Sequence, residues 1–104
     1  MEPTRRDDTQ YMLDERRQRG AIIAALYRQR QATPSQPNVS LTDLEQLMGM
    51  PKSQFEFSLW YLTEGQFIKR TDNGSHSILM KGVDLAEQMM DSGLFNSGAT
   101  KRAG

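Results

Sequence analysis

Hydrophobic positions along the chain fall into a few groups, and the spacing within each group predicts its element. Ile22, Ile23, Leu26 and Tyr27 recur three and four residues apart, while Arg16, Arg17, Arg19, Arg28 and Arg30 lie mostly off that stripe. This is a helical period and predicts a helix over residues 9–31. Gly20 weakens its middle by roughly 1 kcal/mol relative to alanine. Residues 1–8 are polar and read as a disordered arm. The run "ATPSQPN" at 32–38 holds two prolines and cannot continue a helix, so it is a linker.

In "VSLTDLEQLMGMPK", Leu41, Leu44, Leu47 and Met48 form a short amphipathic stripe. Ser40 followed by Asp43 resembles a capping box, and Gly49 supplies a stop. Pro51 suits the first turn of a next helix through "KSQFEFSLWYLTE", with Phe55, Leu59 and Leu62 on its buried side. Two helices joined by a glycine-containing turn make a helix-turn-helix over 41–65. The period then drops to two. Phe67 and Ile68 begin one strand, Ile78 to Met80 form another, and Asn73-Gly74 offers the positive φ angles of a tight hairpin turn. Gly82 ends the second strand. Val83, Leu85, Ala86, Met89 and Met90 then predict a last amphipathic helix over 83–92, and residues 95–104 are too polar to pack.

The fold class expected is α+β, mainly α, in one domain over 9–94. With 104 residues the chain is too short for two. No apolar run reaches the roughly 18–20 residues of a membrane helix, and "MEPTRRDDTQ" has no apolar signal core. There is no cysteine, which excludes disulfides and thiolate metal sites and fits a reducing, cytoplasmic setting. With a single histidine, no glycine-rich phosphate loop and no nucleophile elbow, neither an enzyme nor a cofactor or metal site is expected. Net charge is zero. Residues 40–82 carry four basic against five acidic side chains, so any positive surface is local.

"VSLTDLEQLMGMPKSQFEFSLWYLTEGQFIKR" and "SILMKGVDLAEQM" resemble the winged helix-turn-helix superfamily of bacterial or phage type. The likeness covers residues 39–92, about half the chain. It implies three core helices, a two-stranded wing at 66–81 and a C-terminal helix. One departure stands out. A glycine usually precedes the aromatic-Ile pair, whereas here Gln66 does, with Gly65 one place earlier. Either Gly65 takes the left-handed position or Gln66 is strained.

The resemblance implies a small DNA-binding, transcriptional-regulator-like module that binds double-stranded DNA. By position, Lys52, Ser53, Gln54, Ser58 and Tyr61 would face the duplex from the third helix, with Lys69, Arg70 and His76 on the wing. Lys52, Ser53 and Gln54 are equally consistent with a well-capped first turn. Lys69 and Arg70 point to opposite strand faces, so only one can line a given groove, and charges there also protect a sheet edge. Arg5, Arg6, Lys101 and Arg102 could lie along phosphates or merely solubilise the ends.

Phe57 and Tyr61 lie opposite Phe55 and Leu59 on the third helix. If uncovered, Phe57, Trp60 and Tyr61 form an aromatic patch suited to a protein partner, the alternative function; for Trp60 a covered position is expected. Met89 and Met90, beside Leu85 and Leu94, could form a homodimer seam through terminal helices, or belong to the core.

Overall fold

In a computed structural model the backbone is described for residues 4–92, and side chains from Asp14 onward. Helix α1 runs Thr4–Ala32. It starts five residues before the expected position. Arg, Gln, Glu, Met and Leu are good helix formers, and Asp7 and Asp8 sit near the favourable N-terminal end of the dipole, so the polar stretch need not break the helix. The side chains of Arg5 and Arg6, and all of Leu94, Lys101 and Arg102, lie outside the described residues. Residues 22–27 of α1 are all buried. A segment apolar on every side belongs at the centre of a fold, and α1 packs chiefly against the three later helices and the second strand of the hairpin.

Helix α2, Leu41–Met48, forms as its signals predict. Ser40 Oγ accepts from the Asp43 N–H at 3.1 Å, and Gly49 closes the helix at φ 72°. The next helix departs from expectation. Pro51 stands outside it in extended conformation, Lys52–Gln54 make one 3-10 turn, and α3 proper is Glu56–Glu64. The Glu45 carboxylate accepts from the Lys52 N–H at 2.9 Å and holds this tighter entry. Phe55, at φ −125°, turns wholly into the core between the two pieces.

The exit from α3 resolves the glycine question. The Phe67 N–H donates to Leu62 O at 2.9 Å and the Gln66 N–H to Thr63 O at 3.1 Å, with Gln66 at φ 66°. This is a Schellman closure with glutamine in the left-handed place. Gly65 stays right-handed, and the place requires glycine because a Cβ there would sit 2.7 Å from the Phe67 ring. The left-handed conformation costs an L-residue roughly 1–2 kcal/mol, partly offset by the extra freedom glycine has when unfolded. Because Gln66 is exposed, Gln66→Gly is expected to stabilise by about 1 kcal/mol. A urea midpoint unchanged or lowered would contradict it.

Strands β1 (Ile68–Arg70) and β2 (His76–Ile78) pair antiparallel, Lys69 opposite Ser77 and Arg70 opposite His76. At the tip, Gly74 alone takes positive φ; its N–H donates to Thr71 O, and the Thr71 N–H donates to Ser75 O. The turn is therefore a three-residue loop with a glycine bulge, not a two-residue Asn-Gly turn. Val39, leaving the linker, exchanges both backbone hydrogen bonds with His76. The second strand ends at Ile78, and α4 is Met80–Asp91, so Met80 is helical and Gly82 lies inside the first turn of that helix. Gly82 does not break a strand; it lets α4 press against the hairpin. The architecture is mainly helical, with one small antiparallel hairpin.

Candidate functional site

Outward from the core, α3 presents Glu56, Phe57, Trp60, Tyr61 and Glu64, all exposed. Phe57 is 51 % and Trp60 56 % accessible, with ring centroids 5.5 Å apart and planes tilted by 36°. The expected cover over Trp60 is absent. Helix α1 crosses on the Ser58 side of α3, and α4 packs on α1 and β2. Tyr61 is different, for the Arg19 guanidinium lies 4.2 Å from its ring centroid. That attraction ties Tyr61 to α1 and away from the hairpin side.

Two residues placed on the DNA face by the resemblance are buried. Ser58 is fully inaccessible and donates its single hydroxyl hydrogen to Glu15 Oε1 at 3.0 Å, with Gln18 Oε1 a competing acceptor at 3.2 Å. It joins α3 to α1 and touches nothing outside. His76 is 5 % accessible, held in the ladder between Arg70 and the Val39 bridge. Polar residues read as outward-facing are here enclosed by elements distant in sequence.

A groove of about 590 Å³ runs between α3 and the hairpin. Lys52 and Arg70 line it, with the start of α2 (Ser40, Leu41, Thr42), the Trp60 ring and the carboxylates of Glu56 and Glu64. Lys69 does not line it, as strand alternation requires. Ser53 and Gln54 are exposed on the 3-10 turn but outside the groove. The first N–H groups of α2 have no acceptor within their helix and carry the positive end of its dipole, opposed by Asp43 in the first turn. Lys52 Nζ lies 3.5 Å from the Glu56 carboxylate, a solvent-exposed pair worth little, which a ligand phosphate can displace. Sequence reading missed Ser40–Thr42, Glu56 and Glu64 as groove residues. The four-residue spacing Glu56-Trp60-Glu64 was the one visible signal.

The His76 ring also lines the groove, and its Nδ1 has no hydrogen-bond partner. Burial first, then the positive charges of Arg70 and Lys52, holds its pKa below the ordinary histidine value. The unfolded chain therefore takes up a proton before the folded one. Stability is full above about pH 6.5 and falls as pH drops from there through the lower folded value. Urea midpoints measured from neutral to mildly acidic pH should fall, and His76→Gln should flatten that part of the curve. Equal slopes in the two proteins would refute the assignment.

On the opposite side, a wider groove of about 900 Å³ is lined by Arg16, Arg19, Leu47, Tyr61, Phe67 and Met89. Met89 is half-buried against the core, whereas Met90 is exposed. Among the described residues no group of three or more His, Asp or Glu side chains could hold a metal ion, and no helix is long and apolar enough to cross a membrane. No family model, curated protein or solved structure matches the chain.

Proposed function

We propose that the protein is a winged helix-turn-helix module that binds DNA, with α2 and α3 as the helix-turn-helix, the hairpin as wing and the groove between them as the binding site. The supporting observation is convergence: Lys52, Arg70 and the N-terminus of α2 line one groove beside an exposed tryptophan. Each can meet a phosphate oxygen, the side chains as charged donors and the helix end through free N–H groups. A role as a small transcriptional regulator, and pairing of two copies through the terminal helices, go with this reading; sedimentation equilibrium checks the pairing.

The groove has two fixed cations, so affinity is modest and salt-sensitive. Log affinity should fall with log salt by about 0.7–0.9 per phosphate held. Fluorescence anisotropy with labelled DNA, single-stranded and duplex, at low salt tests the proposal. Arg70→Gln should weaken binding several-fold and reduce the slope by about one phosphate's worth. No binding of either form at tens of micromolar protein would remove it. The second reading, docking of a protein partner on α3, is favoured by the exposure of Phe57 and Trp60 beside Glu56 and Glu64. It requires that neither nucleic acid bind.

A further inference from the structure

Resting on the nucleic-acid reading, we infer that the strand held by this groove is single, with its bases stacked on Trp60 and Phe57 and its phosphates drawn to Lys52 and Arg70. In a duplex groove α3 would have to insert its outward face. That face carries three rings and two carboxylates, Glu56 and Glu64, and the neighbouring cations are already engaged, Lys52 beside Glu56 and Arg19 over the Tyr61 ring. Inserted into a major groove, that face meets phosphate walls and base edges with like charge and bulk. Helix α3 itself supplies no arginine or lysine to offset it, since Glu56–Glu64 contains neither.

A single strand lessens that conflict. It has one phosphate backbone, which follows one groove, and its unpaired bases expose their faces. Trp60 stands at the border, lining the groove that holds Lys52 and Arg70 on one side and touching Phe57 on the other. A cationic track beside solvent-exposed rings is the arrangement by which sequence-tolerant single-strand binders work, each stacked base contributing about 1–3 kcal/mol. The carboxylates then meet bases instead of phosphates, where they can accept from exocyclic amino groups. The shared chemistry is a single-stranded nucleic acid; deoxyribose and ribose forms are separated by experiment.

Trp60 is the only tryptophan in the chain, so its emission reports stacking directly. Mixed-sequence strands of about 15 nucleotides, as DNA and as RNA, are titrated against the full-length protein at low salt, alongside the same DNA annealed to its complement. The expected result is that a strand of at least one sugar type quenches Trp60 and binds about tenfold or more tighter than the duplex. Trp60→Ala, followed by anisotropy, should weaken that binding about fivefold to a hundredfold, with Trp60→Phe retaining part of it. Trp60 is exposed, so circular dichroism should show both variants folded. Duplex binding tighter than either strand, indifferent to Trp60→Ala, overturns this inference and leaves the DNA-binding proposal standing. Absence of binding to all three probes overturns both and leaves the protein-docking reading.

Discussion

Replacing Phe55 with alanine is expected to cost about 3–5 kcal/mol, a large share of the roughly 5–15 kcal/mol that stabilises a small domain. Phe55 is completely buried where the 3-10 turn meets α3, and its backbone marks the break between them. Truncation removes its apolar area from the core and leaves a cavity beneath both pieces, which the Glu45 cap on Lys52 hinders from collapsing. Phe57, two residues on, is the internal control. It is half exposed, and Phe57→Ala should move stability by no more than about 0.5 kcal/mol. Paired urea titrations therefore read the rotational phase of α3 directly. Equal losses at the two positions would mean the helix presents a different face to α1, and the groove described above would not exist.

Spacing placed Phe55 on the buried side and Phe57 opposite it, but left open whether Phe57 was covered, which depends on the path of α1. Helix α2 was fully legible, because its Ser40 cap and Gly49 stop act over three or four residues. The hairpin was legible as an element, through Gly74, but its second strand was placed two residues late. The error has a physical source. "SILM" reads as a strand continued to Met80, and only contact with Phe67 and Ile78 explains why Gly82 belongs inside a helix. The 3-10 entry to α3 depends on Glu45, seven residues before Lys52. Ser58 and His76 were placed on the outer face by position in the resemblance; their burial comes from α1 and from Val39, which no local window contains. Trp60 erred the other way. Its size argued for a core position, but whether a large ring is covered depends on the path of α1, not on its own neighbours.

Within the candidate site the same division holds. Arg70 and Lys52 were identified from the hairpin and helix patterns, and strand alternation correctly allowed only one of Lys69 and Arg70 into the groove. Which one, and the participation of the α2 N-terminus, followed only from how the hairpin is hung against α3. That placement rests on the connections at either end of the hairpin. Gln66 turns the chain out of α3, and the start of α4 clamps the return.

Gly82→Ala is expected to break that clamp. A Cβ at this position would collide with the Phe67 carbonyl oxygen and stand 2.6 Å from Ile78 Cγ1. The carbonyl cannot retreat freely, since it accepts from the Leu79 N–H at 2.9 Å and so closes the hairpin. Lys81 adds a second tie across the same seam, donating to Gly65 O at 2.9 Å. Overpacking against fixed backbone lies at the upper end of the usual scale, about 3 kcal/mol, which for a domain of this size lowers the melting temperature by about 12–24 °C. Gly20→Ala separates this from any general effect of adding a methyl. Its Cβ would meet only the Met89 terminal methyl at 3.2 Å, a flexible neighbour, and the gain of about 1 kcal/mol in helix propensity should leave that variant near the parent or above it. If Gly82→Ala melts with Gly20→Ala and the parent, α4 does not press on the hairpin. Arg70 is then not held against α3, and the cationic side of the groove loses its structural basis.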